Sequence, residues 1–254
     1  MKLRQILVPT QEDGLLDIVE KSWPSSWKEL RDKAIEDEEF ADLDQTLERL
    51  ENQYGGYYPL KKDLFRAFHL TPLREVLVVM LAQDPYPQVN PYNGRPKSQG
   101  LCFSQDRSDD VSSSMQTVYT ELKRQYPDYK VPSHADLTSW TRQGVLMLNS
   151  SLTYHPGLPK TGEKDTRIKI WYGFLGLVFD LLADKRPNCI YMLVGEAAQE
   201  ASLRKRIGSK SIVLTAPHPS GRNTGKNTFV GCGHFKRINE ELVSLGEKPI
   251  DWQI

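Results

Sequence analysis

Four short apolar runs punctuate a chain whose remaining apolar positions mostly recur at helical spacing: residues 76–81, 145–148, 189–194 and 212–214. Each is rich in β-branched or aliphatic side chains and too short for a helix, which predicts buried strands. Between them, residues 113–126, 135–143, 165–183 and 197–207 carry helix formers at helical spacing. Strands alternating with helices imply right-handed crossovers and a parallel sheet covered on both faces. The expected fold is α/β: a single domain over residues 1–254, with a central four-stranded, mainly parallel sheet flanked by helices. Residues 1–70 are expected to form a mainly helical N-terminal part. There Pro24-Ser25-Ser26 signals the start of a helix over 27–35, and a charged helix follows over 42–51.

Every predicted strand runs into a polar or glycine-containing segment at its C-terminal end. These are Gln83-Asp84-Pro85-Tyr86, Asn149-Ser150-Ser151, Gly195-Glu196 and His218-Pro219-Ser220. Ligands of open α/β sheets bind at the carboxyl ends of the strands, so the candidate chemistry should converge on one sheet edge. Asp84 precedes Pro85, which restricts it to extended or turn backbone and stiffens the loop. His218 lies between Pro217 and Pro219. A carboxylate and an imidazole on separate stiff loops suit acid–base or electrostatic catalysis without a metal. The Asn149 amide offers a donor and an acceptor in one plane, able to read a base edge. Phe103 offers a stacking face. Each residue alone also has a plainer reading: an Asx-turn for Asp84, a structural imidazole for His218, a strand-end turn for Asn149 and core packing for Phe103.

Composition narrows the class. With 254 residues, 39% hydrophobic and 26% charged, the chain reads as an ordinary soluble globular protein and not as a disordered, collagen-like or coiled-coil one. No window approaches the roughly 18 consecutive apolar residues of a membrane-spanning helix, and the first ten residues lack the apolar stretch of a secretory signal. The expected setting is cytoplasmic, or nuclear for a eukaryotic or nuclear viral protein. Cys102, Cys189 and Cys232 are odd in number and lack ligand spacing, so reduced thiols and no structural metal are expected. Net charge is zero, yet residues 201–239 hold eight Lys or Arg and no acid, while residues 31–51 hold nine acids against three bases. One end of the molecule could face a polyanion, although a solvated surface explains the same pattern. The polar, basic segment over residues 221–228 reads as a phosphate-contacting or groove-inserting loop. Its glycine spacing does not match a nucleotide-triphosphate P-loop.

Several ordered motifs then add up. Ala82-Gln83-Asp84-Pro85-Tyr86-Pro87 resembles the GQDPYH water-activating loop of family 1 uracil-DNA glycosylases. Gly100-Leu101-Cys102-Phe103-Ser104 resembles their uracil-stacking segment, Gly144-Val145-Leu146-Met147-Leu148-Asn149 their GVLLLN segment, and Ala216-Pro217-His218-Pro219-Ser220 their minor-groove loop. The resemblance runs from about Trp27 to the end. It implies a metal- and cofactor-free glycosylase acting on uracil flipped out of single- or double-stranded DNA. Phe103 would stack on the base, Asn149 would read its O4 and N3 edge, and Tyr86 would fill the space beside C5 and so exclude thymine. The Gln83 amide and His218 would hydrogen-bond O2, and Asp84 would position water and stabilise the sugar cation. Ser114, Pro219 and Ser220 would meet DNA. The resemblance also implies a uracil-glycosylase inhibitor protein as a partner; a monomer with no membrane association is expected.

The chain departs from the family pattern at several points. Pro87 replaces the usual histidine and Ala82 the first glycine, residues 88–99 form a longer connection than in typical members, and Glu196 takes a serine's place after Gly195. A carboxylate near DNA phosphate is unfavourable unless it points away, so weaker or retuned DNA affinity is expected. The intercalating leucine is replaced by Gly221-Arg222, which makes Arg222 the candidate wedge. Two other readings stay open: excision of another modified pyrimidine, motivated by the long connection, and a DNA-binding or replication scaffold with reduced catalysis.

Overall fold

In the computed structural model, which describes residues 14–158, 169–220 and 228–254, four strands form one sheet. They are β1 (Val78–Ala82), β2 (Val145–Asn149), β3 (Ile190–Val194) and β4 (Ile212–Ala216), in the order β2-β1-β3-β4. All pairings are parallel, with Val78 opposite Val145 and Ile190, and Ile190 opposite Ile212. The first three strands are buried at every position. Their near-continuous apolar sequences are what a sheet covered on both faces requires. Edge strand β4 is only partly covered, and Thr215 is exposed.

The helices are α1 (Leu15–Ser22), α2 (Lys28–Glu36), α3 (Glu38–Tyr54), α4 (Arg66–Leu70), α5 (Ser113–Gln125), α6 (Thr138–Thr141), α7 (Tyr172–Lys185), α8 (Ala201–Arg204) and α9 (His234–Ser244). The described part of the N-terminal segment is helical, as expected. It is tied to α7 through an aromatic cluster in which Trp23, Phe65 and Phe68 surround Phe174 at ring separations of 5.6–6.4 Å. One apolar core runs from Leu15 to Trp252. None of the described helices is long and apolar enough to cross a membrane.

Four predicted helices differ in extent, the first being the charged helix expected over 42–51, which α3 extends at both ends. The helix expected over 135–143 is confined to α6, because the Asp136 carboxylate accepts the Thr138 amide at 3.0 Å and holds the preceding residues in an Asx turn. The helix over 197–207 is broken at Glu200, whose extended ψ of 132° separates a 3₁₀ turn (Ala197–Gln199) from α8. The helix predicted over 165–183 is described only from residue 169, and α7 continues two residues past its predicted end. Helix α9 was not predicted, although Phe235, Ile238 and Leu242 occupy its buried face.

One buried carboxylate organises the C-terminal end. Glu121, on the inner face of α5, accepts hydrogen bonds from Arg124 at 2.8 and 2.9 Å, from Gln125 at 2.6 Å, and from the Gly231 and Gly233 amides at 2.7 and 2.8 Å. Burial raises its pKa, but the bonds from Arg124 and the two glycine amides outweigh this and hold it at about 2. The stabilisation is therefore complete above the ordinary value of 4.5 and is lost as pH falls towards 2. Glu121→Ala should lower stability by about 1.5–3 kcal/mol, since it removes a buried charged acceptor shared by a guanidinium, a side-chain amide and two backbone N–H groups. Urea denaturation at pH 7 measures this, and a loss below about 1 kcal/mol would contradict the anchoring role.

Candidate active site

The strand order places the chain reversal at β1: the connection to β2 leaves on one side and the connection through β3 to β4 on the other. A crevice opens at the carboxyl ends of the strands at such a switch point. There lies a cavity of about 210 Å3 lined by Asp84, Tyr86, Phe103, Ser114, Asn149 and His218. These six expected residues, contributed by five separate segments, meet in one place. Pro87, noted above as a departure from the family pattern, also lines it, as do Gln88, Ser98 and Ser112, to which sequence reasoning gave no role in the site.

Asp84 leaves β1 on a loop fastened from the neighbouring strand. The Ser150 amide and hydroxyl both donate to the Ala82 carbonyl, at 2.8 and 2.9 Å, and the Ser151 amide donates to the Gln83 carbonyl at 3.0 Å. Gln83 is not among the cavity-lining residues; its carbonyl serves this fastening. The serine pair after Asn149 was legible as polar, but not as the clamp of the Asp84 loop.

Asn149 ends β2 and is buried, and its Oδ1 has no hydrogen-bond partner among the described residues. A buried amide oxygen in that state is costly unless a ligand donor satisfies it. Phe103 lies on the opposite segment with φ of +62°, a left-handed conformation that a bulky residue adopts only when its surroundings enforce it. Upstream, Gly100 has φ of +73°, and a Cβ there would sit 1.8 Å from the Asp63 carbonyl oxygen, so only glycine fits. The Phe103 and His218 rings face one another with centroids 5.8 Å apart.

His218 follows β4. The Ser220 amide donates to His218 Nδ1 at 3.2 Å, so Nδ1 carries a lone pair and the ring proton resides on Nε2. Burial holds its pKa below the usual 6.5, which keeps the ring neutral at pH 7. The imidazole is therefore a neutral donor through Nε2. Pro219 is buried and Ser220 half-buried, so within this loop Ser220 is the more accessible of the two. Arg222 lies outside the described residues.

Ser114 sits in the first turn of α5, whose N-cap is Ser112. Glu196 is exposed in the loop after β3. The long connection folds back on itself through an antiparallel bridge between Val89 and Pro96, with the Lys97 amide donating to the Gln88 carbonyl at 3.0 Å. Asn90 at its base is buried and donates to Asp109 at 2.6 Å, while Tyr92 at its tip is 85% exposed. Ser98 separates the main cavity from a second one of about 350 Å3 beneath this connection.

The arrangement presents a carboxylate, a neutral imidazole donor, an unpaired amide and an aromatic face around a space below the roughly 300–1,000 Å3 of drug-sized pockets, suited to one small planar polar ring. The Uracil DNA glycosylase superfamily pattern matches residues 68–243. The uracil-DNA glycosylase of Dichelobacter nodosus is 37% identical over 229 residues, 90% of this chain and 94% of that protein. That of Acinetobacter baylyi is 35% identical over 250 residues, 98% of each. Among solved structures, mimivirus uracil-DNA glycosylase aligns with a TM-score of 0.81 at 27% identity, over 94% of this chain and 89% of that one. A mimivirus UNG variant in complex with UGI aligns at 0.83 and 26% identity, over 94% and 91% of the two chains.

Proposed function

This chain belongs to the uracil DNA glycosylase superfamily, and on that premise we infer that it hydrolyses the N-glycosidic bond of deoxyuridine in DNA, releasing uracil and leaving an abasic site. The observation that carries the reading at this site is the buried, unpaired Asn149 Oδ1 facing a cavity that also holds Asp84 and His218. Uracil N3–H supplies the missing donor, and the Asn149 amide N–H pairs with O4. Cytosine reverses that pattern and leaves polar groups unpaired, which is a strong basis for rejection. Tyr86 stands beside C5 and excludes the methyl group of thymine by shape.

Flipping brings the glycosidic bond out of the stack and onto the Phe103 face. Bond breaking then places positive charge on the sugar and negative charge on the departing base. The Asp84 carboxylate stabilises the first and positions the attacking water. His218 Nε2–H, joined by the Gln83 amide, donates to O2 and stabilises the second. Ser114 and Ser220 contact phosphates, Pro219 shapes the His218 loop, and Arg222 enters the gap left by the flipped nucleotide. The substrate is single- or double-stranded DNA, the working unit is a monomer in the cytoplasm, and an inhibitor of the UGI type covers the same face.

Incubating the protein in EDTA with matched oligonucleotides bearing one uracil, thymine or cytosine, then revealing abasic sites with alkali, tests the reaction. Cleavage confined to uracil is expected; DNA binding without cleavage would overturn the assignment in favour of a scaffold. In the same assay Arg222→Ala should slow excision from duplex several-fold more than from single strands, because only duplex leaves a gap to fill. Equal losses on the two substrates would remove the wedge role.

A further inference from the structure

Tyr86 and Phe103 are joined by a short chain of hydroxyl groups whose direction is fixed. The Tyr86 hydroxyl lies 3.1 Å from the Phe103 carbonyl oxygen and 2.9 Å from Ser112 Oγ. A carbonyl only accepts, so the single phenolic proton goes to Phe103, and the Ser112 hydroxyl donates to Tyr86 Oη. Ser112 Oγ in turn accepts the Met115 amide at 3.3 Å as the N-cap of α5. The Ser112 main chain is held as well: its amide donates to Gln105 Oε1 at 2.9 Å. Gln105 is fully buried and also donates to the Asp110 carbonyl at 3.1 Å. Ser112 therefore stands on a rigid support and points its proton at the ring beside the base pocket.

We infer that Ser112 is a specificity-determining positioning residue, whose hydroxyl pins the Tyr86 ring in the place where it excludes pyrimidines substituted at C5. The inference rests on the reading of Tyr86 as the wall beside C5. Without the Ser112 proton the phenol keeps one partner in place of two, and its ring is free to tilt about the remaining bond to Phe103. A 5-substituent then gains room. The same chain braces the left-handed Phe103 backbone through its carbonyl, so the wall beside C5 and the stacking face are set by one device. Because Ser112 also begins α5, the residue that tunes base selection belongs to the segment that presents Ser114 to DNA.

The test is the ratio of kcat/KM for uracil to that for 5-bromouracil in the same single-stranded oligonucleotide. Ser112→Gly retains a tolerated N-cap and removes the hydroxyl, and should lower the ratio about fivefold. Ser112→Thr keeps the donor and should restore the native ratio. Tyr86→Phe, which keeps the ring and removes the shared hydroxyl, should match Ser112→Gly and serves if that variant does not fold. A purely structural role for Ser112 would slow both substrates in proportion and leave the ratio fixed, which overturns the inference. Tyr86→Ala separates the two levels. If it relaxes the ratio while Ser112→Gly does not, Ser112 has no such role; if Tyr86→Ala leaves the ratio unchanged, the reading of Tyr86 itself fails.

Discussion

Asp84→Asn should lower single-turnover excision of uracil by about 10²–10⁴-fold while DNA affinity holds or rises. Asparagine preserves size and hydrogen-bonding shape and removes only the charge, so the loss reports electrostatic stabilisation of the sugar cation and orientation of water. Affinity should not fall with it, since removing a negative charge beside the phosphate backbone favours a polyanion. The loop itself should stand, because the bonds from Ser150 and Ser151 that fasten it go to the carbonyls of Ala82 and Gln83 and not to the Asp84 side chain. Full activity in this variant would remove Asp84 from the mechanism, and a parallel loss of binding would assign it to positioning DNA.

His218→Leu should cost about 10²–10³-fold in the same measurement, the usual consequence of deleting one donor to a developing oxyanion. The pH dependence carries a sign that distinguishes the neutral form from the cation. Burial holds the imidazole pKa below 6.5, so the midpoint of its acidic limb should lie below 6.5, and above about pH 7.5 this group should leave the rate flat. Protonation would also set an Nδ1–H against the Ser220 amide, which now donates to that nitrogen, and would break the loop's own bond. The acidic limb should therefore be a loss of rate and should vanish in the leucine variant. A limb centred above 6.5 that disappears with His218 would mean that the group works against its surroundings, contrary to this assignment.

Much of this was legible along the chain, for physical reasons that apply unevenly. Parallel strands covered on both faces must be apolar throughout, so β1, β2 and β3 could be placed within about two residues of their ends from composition alone. Their polar C-terminal neighbours then had to share one edge, which brought Asp84, Asn149 and His218 together before any geometry was known. What stayed hidden is long-range pairing. Ser112 meets Tyr86 across 26 positions, and Glu121 meets Gly231 and Gly233 across more than 100. No local period encodes such partners. Glu121 did leave a trace, a charged residue three positions after Val118 on the buried stripe of α5, which asks for a buried partner. The misjudged helix over 135–143 shows the opposite case, where helical spacing was present and a local Asx turn at Asp136 prevailed over it.

The two groups proposed to carry the reaction hang from strands of unequal standing. Asp84 and Asn149 leave strands buried at every position, whereas His218 leaves β4, which is partly or fully exposed at every position but its last. Partial opening events of a native protein start where coverage is thinnest. Fraying of β4 would carry the imidazole away while the fully buried β1 and β2, and with them Asp84 and Asn149, remain in place. Under mild stress the molecule would then pass through a form that still reads a pyrimidine edge but has lost the means to let the base depart as an anion. Recognition and bond cleavage are thus given different lifetimes by the unequal burial of the two edge strands.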